Sequence, residues 1–214
     1  MTETRFPGPA GLLEGFLYIP EGAGPFPGVV VCHPHSLMGG NMDNNVVMGI
    51  CHVLARLGIA SLRFNFRGVG RSESAFDEGR GEIDDALEAI RVLASSDGID
   101  ASRVGLAGYS FGAGVAMKAA LRDDISRALA LIGRARVDPD EDLNLRPSLP
   151  ILFAVGDRDR LMPQGQIEEI SARLTTKPEM HVLPGADHFL AGREMEVGEL
   201  VAAFFQRWLR PQSQ

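Results

Sequence analysis

One serine in this chain lies in a setting that can turn its hydroxyl into a nucleophile. Ser110 is the centre of the pentapeptide Gly-Tyr-Ser-Phe-Gly, which matches the pattern G-x-S-x-G. The apolar run 104–107 before it predicts a buried strand, and the Ala-rich segment 113–121 after it predicts a helix. A strand, a sharp turn and a helix in this order present a serine at the carboxyl edge of a sheet. A Gly-rich turn that only permits close packing is the alternative, and the flanking strand and helix favour the nucleophile.

A serine nucleophile needs a base within hydrogen-bond reach and an acid that orients the base. Downstream of Ser110, histidine occurs at His181 and His188. His181 lies inside the apolar run 180–183, which favours a structural histidine in a strand. His188 follows the turn 184–187, just past the end of that strand, so we expect it on a loop at the same edge as the serine. We interpret His188 as the general base.

Two carboxylates compete for the role of the acid. Both follow the predicted strand 151–155, Asp157 directly after a glycine and Asp159 two residues further on. An aspartate next to a glycine turn commonly caps that turn through its own neighbouring backbone, and we expect this of Asp157. Asp159 is far enough along the loop to bend toward His188, so we interpret it as the acid. Asp187 is adjacent to the base and cannot hold its ring, and a turn or cap role is expected there.

The oxyanion of an acyl-transfer reaction needs two N–H donors. One is expected from Phe111, at the start of the helix after the serine, where the helix dipole is positive. The second should come from the loop after the apolar run 29–32. Pro34 has no N–H, so we expect the N–H of His35, with that of Leu37 as the alternative.

Two other patterns near this edge admit a different chemistry. His33 and His35 have a spacing that could bind zinc, but no cluster of carboxylates or cysteines accompanies them, so we expect both to bond loop backbone. The Gly-rich segment 65–72 looks superficially like a phosphate-binding loop. It lacks both G-x-G-x-x-G and the P-loop lysine, and we expect Arg67 to bond carbonyls or a carboxylate there.

Composition sets the broad class. The chain of 214 residues is long enough for one domain, 1–214, with a sizeable core. Its net charge of −7 without a Lys/Arg cluster argues against a nucleic-acid partner. Two cysteines are too few for a disulfide framework, which suggests a reducing compartment where Cys32 simply packs. Neither a secretory leader nor an apolar run of membrane-spanning length is evident, so we expect a soluble cytoplasmic protein with no membrane partner.

The elements that must position these residues alternate along the chain. An opening strand, 12–20, is expected at an antiparallel edge. Short apolar runs then predict strands buried on both faces, at 29–32, 60–64, 104–107, 128–132, 151–155 and 180–183. Besides the helix after Ser110, helical spacing occurs at 44–57, 82–94, 164–174 and 194–209. This order predicts an α/β fold with a mostly parallel sheet, helices on both faces, and a site at the carboxyl ends of the strands.

The motifs together resemble the α/β-hydrolase superfamily, in its small lidless branch near dienelactone-hydrolase-like proteins and serine esterases. The resemblance covers nearly the whole chain and rests on five segments. The first, 33–40, contains His-Pro-His and Gly-Gly, and the others are 65–72, 108–112, 156–159 and 186–189. It implies an aspartate three positions after the glycine as the acid, which is Asp159, and minimal or no lid over the site. From the residues themselves, the least regular segments are 65–81 and 134–150, and we expect both to be loops over the same edge as Ser110, neither long enough for a separate lid domain. This chain departs from the pattern in having His-Pro where His-Gly is usual, Ser36 where the nearest relatives have proline, and Ser110 where dienelactone hydrolases have cysteine.

The resemblance implies acyl transfer to water without a cofactor or metal. From the residues we expect a serine hydrolase that cleaves a small-molecule carboxylic ester through an acyl-enzyme on Ser110. A thioester, or a small amide or peptide, is the alternative substrate. A binding protein that kept the fold without catalysis is a further alternative. The ordered presence of Ser110, Asp159 and His188 argues against it, since a binding protein needs no such set.

Overall fold

A single sheet organises the chain. The computed structural model describes residues 2–134, 144–162 and 164–211. In this part of the chain the strands are β1 (Thr2–Gly8), β2 (Gly11–Tyr18), β3 (Phe26–Cys32), β4 (Ala60–Phe64), β5 (Ile99–Tyr109), β6 (Leu129–Ile132), β7 (Ile151–Gly156) and β8 (Glu179–Leu183). They form an eight-stranded sheet in the order β1-β2-β4-β3-β5-β6-β7-β8. β1 and β2 are antiparallel to their neighbours, and the other pairs are parallel, so the predicted mostly parallel sheet is confirmed.

Helices cover both faces of this sheet, as predicted. They are α1 (Asn45–Arg56), α2 (Arg80–Ala94), α3 (Phe111–Arg122), α4 (Gln164–Arg173) and α5 (Glu194–Trp208). Side chains of a strand alternate between the two faces, so β3 sends Val29 and Val31 to a core with α1 and α5, and Val30 and Cys32 to a core with α2 and α3. A continuous apolar run is the sequence of a strand buried in this way. Of the described helices, none is both long and apolar enough to cross a membrane.

The start of the chain differs from the prediction. The strand expected at 12–20 is present as β2, but it is not an edge, because β1 pairs with it on its outer side. β1 went unpredicted because its sequence, Thr-Glu-Thr-Arg-Phe-Pro-Gly, has one buried apolar side chain, Phe6, which lies opposite Leu13. Polar residues and a proline are ordinary on an edge strand, which has solvent on one side.

The other edge also corrects a prediction. The strand expected at 180–183 is present as β8, and His181 lies in it, but the expectation of burial on both faces is wrong. Met180, His181 and Val182 are exposed, because β8 is the last strand of the sheet. Exposed, His181 needs no buried partner.

Both cysteines are buried free thiols, as predicted. Cys32 lies in β3 and Cys51 in α1. Burial raises the pKa of both, that of Cys51 to about 11, since a thiolate is unfavourable in an apolar setting. Both thiols are therefore core side chains.

The loops that leave the carboxyl ends of the parallel strands meet at one edge of the sheet. The loop predicted at 65–81 ends at residue 79 in the structure, where α2 follows, and it is held at this edge by Arg67. The guanidinium of Arg67 forms two hydrogen bonds to the buried carboxylate of Asp85, at 2.9 and 2.6 Å. The expected pairing of Arg67 with a carboxylate is thus confirmed. Of the predicted loop 134–150, residues 135–143 lie outside the described part of the chain.

Candidate active site

Ser110 lies on a strained turn between β5 and α3. Its backbone has φ 56° and ψ −117°, a conformation that costs a non-glycine residue energy and persists where the surroundings fix it. Its N–H donates to the carbonyl of Ile132 on β6, at 2.8 Å. A Cβ at Gly108 would lie 2.2 Å from the carbonyl oxygen of Gly112, and a Cβ at Gly112 would lie 2.4 Å from that of His33. The turn therefore requires both glycines, as the motif predicts.

The structure brings His188 to this serine. The Oγ of Ser110 lies 2.8 Å from the Nε2 of His188, which is carried on the loop after β8. His188 is buried, whereas Ser110 is half-buried and lines a cleft. A half-buried hydroxyl held by a buried imidazole remains accessible to a ligand, while the ring itself is shielded from water.

Asp159 holds the other nitrogen of the same imidazole. Its Oδ2 lies 2.8 Å from the Nδ1 of His188, and its Oδ1 accepts the N–H groups of Leu161 and Met162 at 2.8 and 2.9 Å. Burial pushes the pKa of Asp159 upward, but the bonds from the imidazole and these N–H groups outweigh burial and hold the pKa below its usual range. The ionised carboxylate favours the tautomer with the proton on Nδ1, which leaves the lone pair of Nε2 facing Ser110.

Asp157 bonds a backbone N–H and not the imidazole, but this partner differs from the prediction. Its Oδ1 accepts the N–H of Gly185, on the loop after β8, at 2.7 Å. The expected cap of its own turn is wrong, because backbone closes that turn, the N–H of Asp159 donating to the carbonyl of Gly156. Asp157 instead ties the loop after β7 to the loop that carries His188. Asp187 has the expected turn role, accepting the N–H of Phe189 at 3.0 Å.

Tyr109 contacts the general base, His188, and this contact was not predicted from the sequence. It precedes Ser110 at the end of β5, is buried, and donates its hydroxyl to the backbone carbonyl of His188 at 2.9 Å. Its ring stacks on the imidazole, with 6.0 Å between ring centroids. Burial, with Asp159 and Asp187 nearby, raises its pKa to about 12, so the hydroxyl stays protonated and donates. The available signal was a tyrosine at the end of an apolar strand, since a buried tyrosine hydroxyl needs a partner.

The two expected oxyanion donors come from two different segments next to Ser110, the start of α3 and the loop after β3. Phe111 is the first residue of α3, so its N–H has no acceptor within the helix. His35 precedes a short 3-10 turn, Ser36–Met38, and lines the same cleft as Ser110. The N–H of Leu37, the alternative donor, is directed to the Nδ1 of His35 at 3.3 Å. This contact engages Leu37 and leaves the backbone N–H of His35 as the candidate on that loop.

His33 supports this loop from within the core. Its Nδ1 lies 2.6 Å from the carbonyl of Pro34 and its Nε2 accepts the N–H of Phe66 at 3.1 Å. Both ring nitrogens are thus engaged with backbone, which is the structural role expected for His33 and leaves no lone pair for zinc. Burial lowers the pKa of His33 to about 4, outweighing the bond to Pro34, so the ring is neutral at pH 7.

These groups open onto a shallow cleft of about 180 Å³. Its walls come from the loops after β3, β7 and β8 and from the start of α1, with Ser110 in the floor; the lining residues are Pro34, His35, Met38, Gly39, Gly40, Asn44, Tyr109, Ser110, Leu161, His188 and Phe189. The cleft is therefore located at the carboxyl edge of the sheet, where ligands bind in open α/β folds.

Comparison with known proteins agrees with the fold and its open site. A serine hydrolase homologue from Coxiella burnetii has 32% sequence identity and a TM-score of 0.83, over 95% of this chain and 96% of that one. The protein XC6422 from Xanthomonas campestris, described as a serine hydrolase without a lid, has 29% identity and a TM-score of 0.85, over 99% and 96% of the two chains. The protein is thus an α/β hydrolase, and its neighbour XC6422 is one without a lid.

The family follows from the sequence match. Residues 13–212 match the model of the dienelactone hydrolase family, and the chain belongs to this family. Esterase EstD of Thermotoga maritima is 29% identical over 190 residues, which are 86% of this chain and 45% of that protein. The chain therefore spans about half of that relative. The family match confirms the resemblance predicted from the motifs.

Proposed function

We propose that this hydrolase cleaves small-molecule carboxylic esters through an acyl-enzyme on Ser110. The observation that carries the proposal is the continuous chain of hydrogen bonds from the Oγ of Ser110 through His188 to Asp159, at 2.8 Å for each of its two contacts. A nucleophile, a base and an orienting acid in this order are what acyl transfer to water requires.

In the first half of the reaction, the Oγ of Ser110 attacks the carbonyl carbon of the ester while His188 takes the hydroxyl proton on Nε2. The carbonyl oxygen gains the negative charge, and the N–H groups of Phe111 and His35 bind it. When the bond to the alcohol breaks, His188 returns its proton to the alcohol oxygen, and the acyl group remains on Ser110. Asp159 stays ionised and stabilises the imidazolium between the two transfers.

In the second half, a water molecule replaces the alcohol. His188 takes one proton from the water, the resulting hydroxide oxygen bonds to the acyl carbon, and the proton then passes to the Oγ of Ser110 as the acid leaves. Every proton is carried by the same imidazole, so the cycle needs no cofactor.

An ester is the proposed substrate for a physical reason. An amide has a poor leaving group, and enzymes that cleave amides use binding energy from remote parts of the substrate. The described part of this chain has a shallow cleft of about 180 Å³, which supplies little remote contact. The family and the esterase named among the relatives support the same reaction class.

Labelling and turnover together test this proposal. A fluorophosphonate probe should modify the wild-type protein at Ser110, and a panel of p-nitrophenyl butyrate, the matched thioester and the matched anilide should be hydrolysed fastest as the ester. Ser110→Ala should lose labelling and about 10⁴ to 10⁶ in kcat while keeping its thermal midpoint, because alanine fits the turn. Labelling that persists in Ser110→Ala contradicts the nucleophile, and a faster thioester contradicts the substrate class.

A further inference from the structure

The rim of the cleft is unusually apolar. Among the described residues, the four most exposed large apolar side chains are Met38 at 80%, Leu37 at 73%, Phe189 at 69% and Leu161 at 53%, and the next is Trp208 at 49%. Met38, Phe189 and Leu161 line the cleft that contains Ser110, and Leu37 is the neighbour of Met38 on the same 3-10 turn. The greatest exposure of apolar side chains thus coincides with the mouth of the site.

Such a concentration has a physical meaning. Each large apolar side chain left in water forgoes about 1.5 to 3 kcal/mol of burial, and clustered exposed apolar residues mark ligand or partner sites. In the described part of the chain these four side chains remain exposed, so none of the described segments covers them. A ligand that reaches Ser110 must pass over this rim. We therefore infer that the substrate itself contacts these apolar side chains.

Charge at the cleft points to an uncharged ligand. Among the described residues that line the cleft, none is Lys or Arg. Arg134, buried next to Gly133, is not part of the lining. The protein carries a net charge of −7. A carboxylate on the substrate would therefore lose hydration on entering the cleft without gaining a cation there.

The four side chains divide between the two sides of the reacting carbon. Phe189 follows His188, and Leu161 donates its N–H to Asp159, so both belong to the loops that carry His188 and Asp159. His188 is the group that gives its proton to the leaving alcohol. The alcohol oxygen must lie at Nε2 of His188 to receive its proton. Met38 and Leu37 belong instead to the loop of His35, which follows β3. In the sheet β3 lies on one side of β5, the strand that leads to Ser110, and β7 and β8 lie on the other side. The alcohol should thus extend over Phe189 and Leu161, and the acyl group toward Met38 and Leu37.

We propose that the substrate is an uncharged ester that is apolar on both sides of the scissile bond, with its alcohol on Phe189 and Leu161 and its acyl chain on Met38 and Leu37. This inference rests on the proposed ester hydrolysis at Ser110. It adds a substrate class and assigns each half of the substrate to named residues.

Two ester series measured on the full chain test the proposal. In the acyl series, p-nitrophenol is kept and the acid runs from acetate through butyrate and hexanoate to octanoate. In the alcohol series, acetate is kept and the alcohol runs from methanol through butanol to octanol. We expect kcat/KM to rise along both series, and p-nitrophenyl hemisuccinate to react at least about tenfold more slowly than p-nitrophenyl butyrate.

Matched variants assign the two sides. Phe189→Ser should lower kcat/KM about tenfold more for the octanol ester than for methyl acetate. Met38→Ser should lower kcat/KM about tenfold more for the p-nitrophenyl octanoate than for the p-nitrophenyl acetate. Leu57→Ser is the control, because Leu57 is a large exposed apolar side chain at the other end of α1 from the cleft residue Asn44. It should change neither series.

Each result decides between the inference and the function beneath it. If esters are hydrolysed and Ser110 is labelled, but kcat/KM does not rise with chain length, the apolar substrate is overturned and the proposed function stands. The same holds if the hemisuccinate reacts faster than the butyrate. If kcat/KM of the wild type rises along both series but Phe189→Ser removes the rise along the acyl series, the assignment of the two sides is overturned. Absence of both labelling and turnover overturns the proposed function and this inference together.

Discussion

The two sides of Ser110 are built on different principles. On the histidine side, the working groups are side chains. Both His188 and Asp159 are buried, and each polar atom of their side chains is held by a hydrogen bond. On the oxyanion side, the candidate donors are backbone N–H groups of Phe111 and His35, and the side chains of the loop beyond are the most exposed apolar groups described.

This difference has a consequence for substitution. The histidine side depends on the chemical identity of a few atoms, so a change of one atom at constant shape should be costly. The oxyanion side depends on the path of the backbone, so a change of side chain should be tolerated unless it removes an N–H or displaces the loop. Four substitution experiments separate these two kinds of dependence.

The largest effect is expected from Asp159→Asn. The amide can still accept the N–H groups of Leu161 and Met162, but its NH₂ would face the Nδ1 of His188 and favour the wrong tautomer. We expect kcat to fall by about 10³ to 10⁴ with a small change in thermal midpoint. Asp157→Asn is the matched control, since its oxygen can still accept the N–H of Gly185, and its kcat should stay near that of wild type. If Asp157→Asn is the inactive variant, the roles of the two aspartates are reversed.

The next effect separates backbone from side chain on the oxyanion side. His35 has φ −59°, which matches the angle that proline imposes, so His35→Pro removes the N–H with little strain at that bond. His35→Ala removes the imidazole and keeps the N–H. We expect His35→Pro to have a kcat about 10² to 10³ below that of His35→Ala, the usual cost of one oxyanion donor. Equal kcat values in the two variants, at equal thermal midpoints, would show that the donor is elsewhere.

The support of the oxyanion loop should be sensitive to acid. The pKa of His33 is lowered by burial from 6.5 to about 4 in the folded protein. Between these values the unfolded chain binds a proton that the folded chain does not, so stability falls as pH decreases from 6.5 to 4, by up to about 3 kcal/mol. The pKa of Asp159 is lowered from 3.8, so its contribution to stability is lost only below this window.

Denaturant midpoints at pH 7 and pH 5 measure this contribution. His33→Asn should lose less stability than wild type between the two pH values, because asparagine does not titrate there. His181→Asn, which changes an exposed histidine of β8, should behave as wild type does. Equal losses in wild type and His33→Asn would exclude His33 as the cause.

The same contrast explains what could be predicted from the sequence. Ser110, Asp159 and His188 could be located because acyl transfer demands particular side chains, and because each follows an apolar run that is recognisably a strand. The N–H of His35 has no such signature, since every residue except proline carries one, and it was reached by excluding Pro34. Whether these residues act as predicted stays a prediction, which the substitutions above test.

Contacts that depend on which strands are neighbours in the sheet could not be predicted from the local pattern of residues. Asp157 bonds Gly185, 28 residues further along the chain, because β7 lies beside β8 with Gly156 opposite Leu183. Local sequence carries no information on this register. β1 was missed for a related reason. An edge strand is stabilised by the partner it pairs with, and its own sequence needs little apolar character.

The smallest effect concerns a side chain that holds the backbone of the general base. Tyr109 precedes the nucleophile in β5 and uses a side-chain hydroxyl to hold a backbone carbonyl, that of His188. Tyr109→Phe removes this single oxygen, leaves the ring stacked on the imidazole, and frees the loop of His188 to shift. Because the hydroxyl is bonded to the carbonyl of His188 and orients the base, we expect kcat to fall about tenfold, KM to change less than kcat, and stability to fall by about 1 kcal/mol.

The rate of fluorophosphonate labelling distinguishes positioning from a purely structural role. If Tyr109 positions the base, the labelling rate of Ser110 should fall with kcat, since both require His188 to accept the same proton. If the hydroxyl only stabilises the fold, the thermal midpoint should fall while the labelling rate and kcat of the folded protein stay unchanged. Tyr18→Phe is the control, because Tyr18 lies opposite Ser61 near the start of β4, at the end of the sheet away from the cleft. A loss of kcat shared by both variants would remove Tyr109 from the positioning of His188.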